Sequence, residues 1–169
     1  MTYRFLRSTH TLATFLAGLF VGAAAMAVGA QSNRLTGNHG INHVGIVVDR
    51  LDEAIGTYRQ AFGFGEAAVL RDEKGQSTLA FIQVSRNTFI ELSPSSATRR
   101  AGLDHFGLHV DDLKATVAEL RQRGVKVEDP RFGRTISFIT STTDPVGVRM
   151  EMSEIRDDSM LGKAIAGWR

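Results

Sequence analysis

The sequence predicts an α+β domain made of two similar modules, each with the order strand, helix and three strands. Two observations predict it. The stretches His43–Leu51 and His105–Leu113 share His, Gly, Val, Asp and Leu at five of nine positions. Thr88–Ser93 likewise resembles Val148–Ser153, and internal similarity of this kind indicates a repeated structural unit. The chain then divides into modules 41–93 and 105–153, a linker 94–104 and a tail 154–169.

The first module begins with an apolar, β-branched stretch, which is typical of a strand. Asp49 follows this strand and is expected to cap a helix, which Gly63 and Gly65 end. The stretch Glu73–Gln76 predicts the turn of a hairpin. In chain order we expect a strand at Ile41–Val48, a helix at about Leu51–Phe62, hairpin strands at Glu66–Arg71 and Thr78–Val84, and a strand at Thr88–Ser93.

The second module repeats this order. Asp111 is expected to cap its helix, Gly124 ends the helix, and Asp144–Gly147 predicts a turn. The tail has a weak helical pattern and docks either on the body of the chain or on a partner subunit. We expect a strand at His105–Val110, a helix at about Asp112–Arg123, and strands at Val125–Glu128, Thr135–Thr140 and Val148–Ser153.

Residues 1–30 have the layout of a secretory signal peptide. Two arginines precede the uncharged, apolar stretch Thr11–Ala30, which closes with small residues. Cleavage is therefore expected after Ala27 or Ala30, and residues 31–40 form an N-terminal linker. The sequence predicts a periplasmic or secreted protein that contacts a membrane only through the signal, if the signal stays uncleaved.

Composition excludes several classes of protein. The chain has 20 Lys and Arg against 18 Asp and Glu, and two of its arginines lie in the predicted signal, which leaves 18 of each charge in the body. A neutral body lacks the basic surface that nucleic-acid binding needs, so we expect no nucleic-acid partner. The chain has no cysteine, which excludes disulfides, thiolate metal ligands and cysteine nucleophiles.

Each module opens with a histidine and closes with a glutamate. His43 and Glu91 are 48 residues apart, and His105 and Glu151 are 46 residues apart. Since side chains alternate between the faces of a strand, each of the four lies opposite the more aliphatic row, and we expect all four on the concave face of the sheet. Imidazole and carboxylate ligands suit Zn²⁺, Ni²⁺, Co²⁺, Mn²⁺ or Fe²⁺, so the repeat predicts a divalent-metal site.

Two further side chains share the predicted face. Arg149 lies two residues before Glu151 and is a candidate for binding an anionic substrate. His109 lies on the same face as His105 and is a candidate for a substrate contact, although its counterpart in the first module is Val47.

These stretches resemble the vicinal oxygen chelate superfamily, which includes glyoxalase I, methylmalonyl-CoA epimerase, extradiol dioxygenases, and the fosfomycin and bleomycin resistance proteins. The resemblance implies that each module is βαβββ and that two modules form a curved mixed sheet shaped as a cup, within one chain or across a homodimer. It also places four residues in the superfamily's metal-ligand positions: His43, Glu91, His105 and Glu151. The most similar stretches are His43–Asp49, Asn87–Leu92, His105–Leu113 and Val148–Met152.

Within the superfamily the chain looks most like glyoxalase I and the epimerases. The epimerases commonly take a Gln ligand from the neighbouring strand, which makes Gln83 an alternative to Glu91. The resemblance implies a small-molecule substrate and a lyase or isomerase that stabilises an enediolate-type intermediate on a divalent metal, with Glu91 or Glu151 as the base. Two alternatives stay open: an extradiol-type oxygenase that uses His43, His105 and Glu151, and a metal-free protein that binds a small molecule.

Overall fold

The computed structural model describes residues 34–169, of which Thr36–Arg169 form one compact unit. The predicted signal peptide lies outside the described residues. Within residues 34–169, no helix is long and apolar enough to cross a membrane. The elements are β1 (Asn38–Val48), α1 (Leu51–Gln60), β2 (Gly65–Arg71), β3 (Ser77–Ser85), β4 (Thr88–Pro94), β5 (Gly102–Val110), α2 (Leu113–Gln122), β6 (Arg131–Phe132), β7 (Phe138–Thr143), β8 (Arg149–Glu154) and α3 (Met160–Ala166).

The eight strands form one curled, mixed sheet in the order β2-β3-β4-β1-β5-β8-β7-β6. The strands of the second module follow in the reverse order of the equivalent strands of the first module. As a result, β1 and β5 are antiparallel neighbours at the centre of the sheet. Each module's first strand pairs in parallel with its last strand, β1 with β4 and β5 with β8. The two-module α+β fold predicted from the repeat is therefore confirmed, and both modules of the sheet come from one chain.

The sheet is packed differently on its two faces. Leu51 and Ile55 of α1 pack on Ala80, Ile82 and Leu92, all of which are buried. In the second module the same face packs against α2 through a cluster of Val110, Leu113, Val117 and Met152. The helices therefore cover one face of the sheet, which leaves the other face to form the cup.

Both predicted helix caps were wrong. Arg50 occupies the N-cap of α1 and makes no capping hydrogen bond, while the carboxylate of Asp49 accepts a hydrogen bond from Ser95 Oγ at 2.7 Å. The N-cap of α2 is Asp112, whose carboxylate accepts from the backbone N–H of Ala115 at 2.9 Å. Each aspartate predicted as a cap lies one residue too early. Asp111 instead binds the ring of His39.

Two strand predictions in the second module were also wrong. Residues 125–128 run beside β7 without forming a strand. The hydroxyl groups of Thr140 and Thr142 donate to the carbonyls of Glu128 and Lys126, and the backbone N–H of Glu128 donates to the carbonyl of Ser141 at 3.0 Å. The strand predicted at Thr135–Thr140 is β7, three residues later. It starts late because the segment before it turns, with Ile136 at a φ of 67°.

The tail folds back onto its own chain. Leu161 of α3 is 2% exposed and packs against Leu79, Phe81 and Phe89 on the cup face of the first module. The N-terminus of α3 is tied to the second module, because the backbone N–H of Met160 donates to the carbonyl of Thr135 at 3.0 Å. Of the two dockings left open by the sequence, the structure shows the one on the body of the chain.

Candidate metal centre

The four predicted ligand residues meet at the centre of the sheet. Their strands are neighbours in the order β4, β1, β5 and β8, so two side chains come from each module. His43, His105 and Glu151 are buried, and the side chain of Glu91 is 15% exposed. One potential ligand atom from each of the four lies within 4.8 Å of the others.

The distances within this cluster fit a divalent cation. The two Nε2 atoms of His43 and His105 lie 3.1 Å apart. Nε2 of His43 is 3.9 Å from Glu91 Oε2 and 3.7 Å from Glu151 Oε1, and Nε2 of His105 is 3.7 Å from Glu91 Oε2. Ligands at about 2.1 Å from one octahedral ion lie roughly 3.0 Å apart when adjacent and about 4.2 Å apart when opposite. The four separations lie within this range, so these residues could hold the ion.

A glycine in each central strand makes room for the histidine of the other module. Gly45 pairs with His105 across the β1–β5 ladder, and Gly107 pairs with His43. A Cβ added at Gly45 would lie 2.1 Å from the His105 ring, and one at Gly107 would lie 1.9 Å from the His43 ring. The glycines are required because each imidazole occupies the space where a side chain would start.

The residue before each histidine fixes its ring. Nδ1 of His43 lies 2.9 Å from Asn42 Oδ1, and Nδ1 of His105 lies 2.8 Å from Asp104 Oδ2. When Nδ1–H donates a hydrogen bond to such an acceptor, the Nε2 lone pair faces the cluster, which is the tautomer a metal ligand needs. Nδ1 of His105 also lies 2.7 Å from Nη2 of Arg149. Asn42 and Asp104 are therefore part of the site, although neither was predicted.

A β-bulge explains why these two positions were missed. Strict alternation points the neighbour of a histidine to the opposite face of the sheet. In the β1–β5 ladder, however, the pairing skips Asn42 on one strand and Asp104 on the other. A skipped residue bends its strand and re-aims its side chain. The available signal was the repeat itself, which extends one residue upstream as Asn42-His43 and Asp104-His105.

The two halves of the site carry different charges. Nη2 of Arg149 donates to Asp104 Oδ2 at 2.8 Å, and Nη1 lies 3.6 Å from Glu151 Oε2. The first module has Phe89 at the position equivalent to Arg149, since Phe89 pairs with His43 as Arg149 pairs with His105. The buried Nδ2 of Asn42, unlike Asp104, has no hydrogen-bond partner among residues 34–169.

Burial and neighbouring charges separate the pKa values of the histidines. Burial lowers the pKa of His43 to about 4, with smaller contributions in the same direction from His105 and Arg149. Burial also acts to lower the pKa of His105, but the nearby carboxylate of Glu91 outweighs it and raises that pKa above its usual value. His43 is therefore a neutral imidazole at pH 7, as metal ligation requires.

The pKa values of the two glutamates also differ. Burial acts to raise the pKa of Glu91, but the nearby ring of His105, the ring of His43 and the charge of Arg149 lower it overall. The pKa of Glu151 is raised by burial and by the negative charge of Glu91. Before any ion binds, Glu91 is thus the more acidic of the pair and Glu151 the more basic.

The cluster lies at the side of a cavity of about 590 Å³. Arg149, the candidate for binding an anionic substrate, lines this cavity. His109 does not line it and instead stacks on His39, with the ring centroids 4.8 Å apart. Gln83 does not join the ligand cluster either, because its Nε2 donates to the carbonyls of Arg86 and Ala164.

Comparison with protein families gives one match, described as the Glyoxalase/Bleomycin resistance protein/Dioxygenase superfamily, over residues 42–140. The chain belongs to this superfamily. The match includes His43, Glu91 and His105, while Glu151 lies beyond its end. The family suggested by the repeat is confirmed, and its cup is the concave face that holds the cluster. No curated protein sequence matches the chain significantly.

Solved structures of methylmalonyl-CoA epimerases have a similar fold. The epimerase from Mycobacterium tuberculosis is 28% identical, with a TM-score of 0.62, and the match covers 75% of this chain and 95% of the epimerase. A variant of the Streptomyces coelicolor epimerase in complex with 2-nitronate-propionyl-CoA is 25% identical, with a TM-score of 0.59 and coverage of 71% and 96%. The likeness to the epimerases predicted from the sequence is confirmed.

Proposed function

We propose that this chain is a divalent-metal-dependent isomerase or lyase that moves a proton at a carbon next to a carbonyl group. The observation that carries the proposal is the convergence of His43, Glu91, His105 and Glu151 within 4.8 Å beside the cavity. Two imidazoles and two carboxylates leave two positions of an octahedral ion for substrate oxygens. The ion would be Zn²⁺, Ni²⁺, Co²⁺, Mn²⁺ or Fe²⁺, because all five accept mixed nitrogen and oxygen ligands.

Proton transfer would use both the metal and a glutamate of the site. When bound, the metal supplies positive charge that stabilises the negative charge developing on the substrate when the proton leaves. Glu91 or Glu151 would act as the base that takes the proton from the carbon next to the carbonyl group, and the protonated carboxyl group would then return it.

The relatives support the isomerase branch of this proposal. Both relatives described above are named as methylmalonyl-CoA epimerases, and an epimerase inverts the configuration at one carbon. We infer the same class of chemistry here and leave the acyl carrier open. The reason is the predicted signal at residues 1–30, since an exported enzyme would meet few CoA thioesters. We also propose a periplasmic or secreted location and a homodimer.

The first experiment measures bound metal. The chain from residue 31 onward is purified without a metal-binding tag and subjected to elemental analysis, beside the double variant His43→Ala/His105→Ala. We expect about one divalent ion per chain, lost in the variant. No metal after reconstitution would refute the enzyme proposal and favour a metal-free binding protein. Iron or manganese together with oxygen consumption on a catechol would instead support the oxygenase that needs His43, His105 and Glu151.

The second experiment detects the proton transfer itself. Metal-loaded protein in D₂O is incubated with methylmalonyl-CoA and with 2-substituted carbonyl compounds that lack CoA, and deuterium incorporation at the carbon beside the carbonyl is followed by mass spectrometry. We expect metal-dependent exchange that Glu91→Gln and Glu151→Gln abolish. Full exchange in both variants would refute the assignment of the two glutamates. Glu119→Gln on the outer surface of α2 is the matched control and should exchange normally.

A further inference from the structure

The cavity walls differ at positions that the internal repeat makes equivalent. Phe81 pairs with Glu91 across the β3–β4 ladder, and Ser141 pairs with Glu151 across the β7–β8 ladder. Both side chains line the cavity. An aromatic ring in one module therefore stands where the other module has a hydroxyl group.

A second equivalent pair is also aromatic in the first module and polar in the second. Phe89 of the first module is 1% exposed, whereas Arg149 has 36% of its side chain exposed and lines the cavity. Nη1 of Arg149 lies 3.4 Å from Ser141 Oγ, so these two groups form one polar surface, which we call the cationic wall. Other equivalent pairs keep their character, such as Leu79 with Ile139.

The tail strengthens the contrast. Leu161 of α3 packs against Leu79 and Phe81, and all three line the cavity. We call these three residues the apolar wall. The tail helix adds an apolar side chain to the cup face of the first module alone, because Leu161 packs on Phe81 and Phe89. The two walls therefore face one cavity that the ligand cluster also borders.

The charges around the cavity favour an anion once the ion is bound. Four arginines and four acidic residues line the cavity, so their formal charges cancel. A divalent cation would make the balance +2. The arginines are Arg99, Arg131, Arg134 and Arg149, and the acidic residues are Glu91, Asp104, Glu128 and Glu151.

We propose that the substrate is a small amphiphilic anion, bound with its negatively charged group on the cationic wall and an apolar substituent on the apolar wall. This inference rests on the proposed function, since the reacting carbon would lie between the walls at the metal. Charged hydrogen bonds from a guanidinium fix the anionic end, and burial of hydrocarbon fixes the other end. The walls would thus hold the substrate in one orientation within a site whose metal ligands are nearly symmetric.

The test uses three probes that share a metal-chelating hydroxamate head. Acetohydroxamate has no further group, hexanohydroxamate adds an apolar tail, and succinate monohydroxamate adds a carboxylate. Their binding to Zn²⁺-loaded protein is measured by calorimetry. We expect each tail to increase affinity about tenfold or more, because burial of hydrocarbon and a charged hydrogen bond each favour the bound probe.

Variants assign each gain to one wall. Arg149→Gln should remove the increase in affinity that the carboxylate tail gives and leave the increase from the apolar tail unchanged. Arg149→Lys should recover part of the increase from the carboxylate tail. Leu79→Ala should reduce the apolar gain alone, with Leu161→Ala as a second variant if the first does not fold. Metal content is measured in every variant, so a lost ion is not mistaken for a lost tail contact.

The outcomes separate this inference from the proposed function. If acetohydroxamate does not bind in a metal-dependent way, the proposed function fails. If acetohydroxamate binds only with metal but neither tail increases affinity, or if Arg149→Gln leaves the carboxylate gain intact, the substrate inference is overturned while the metal site stands.

Discussion

Replacement of Gly107 by alanine tests the architecture of the metal centre most directly. An added Cβ would lie 1.9 Å from Cε1 of His43, and ordinary contact begins at 3.4 Å. The ring or its strand must therefore move by about 1.5 Å, the difference between these distances. Metal–ligand bonds tolerate only about 0.2 Å. We expect Gly107→Ala to lose metal about as completely as His43→Ala does.

The same substitution should also destabilise the metal-free protein. Overpacking of a buried site costs about 1–3 kcal/mol, and the His43 ring has little space to yield because it is 1% exposed. The assay is urea unfolding of metal-free protein together with calorimetric titration of Zn²⁺. Gly45→Ala should behave alike, because its Cβ would meet the His105 ring at 2.1 Å.

Gly56→Ala is the matched control. Gly56 lies in α1, and an added Cβ there meets nothing within 4 Å. Alanine in a helix interior is favoured over glycine by roughly 0.5–1 kcal/mol, so this variant should be slightly more stable and bind Zn²⁺ normally. If Gly107→Ala binds Zn²⁺ with the affinity of the unmodified protein, the placement of the two rings is wrong.

Three further predictions follow from the same contacts. Asp104→Ala removes the acceptor for His105 Nδ1 and should weaken metal binding about 10–100-fold in calorimetry, whereas Asp104→Asn keeps an acceptor and should lose less. Metal-free protein should lose stability as the pH falls from about 6.5 to about 4, because unfolded chains protonate His43 first; urea unfolding of His43→Gln should show a smaller loss over that range. Leu161→Ala should destabilise the protein by about 2–5 kcal/mol in urea unfolding, because the side chain is buried between α3 and the sheet; an unchanged midpoint would contradict the docking of the tail.

The fold and the four ligand residues could be predicted from sequence because the repeat supplies long-range information. Matching His43 with His105 implies equivalent positions in space, and strand alternation then decides the face. The pairing of Gly45 with His105 and of Gly107 with His43 shows how closely the two modules correspond. In a chain with one module, no second histidine at an equivalent position would have indicated a shared site.

Features that depend on tertiary contacts were predicted less well. The bulges at Asn42 and Asp104 break the alternation on which the sequence argument rested. The stretch 125–128 has a strand-like composition, but threonine hydroxyl groups on β7 bind its carbonyls. Gln83 lies on the cup face, yet α3 covers it and takes its amide. None of these contacts is local in sequence.

A duplicated module creates a site with two-fold symmetry, whereas proton transfer at one carbon requires two different sides. The metal needs only the features that both modules share: a histidine, a glutamate, a glycine and an acceptor for Nδ1. The differences lie at the positions that pair with the ligand residues. The first module has Phe81 and Phe89 there, and the second module has Ser141 and Arg149. The symmetric residues would bind the ion and the asymmetric residues would orient the substrate. Exchange of Arg149 should therefore alter which molecules bind far more than it alters the ion.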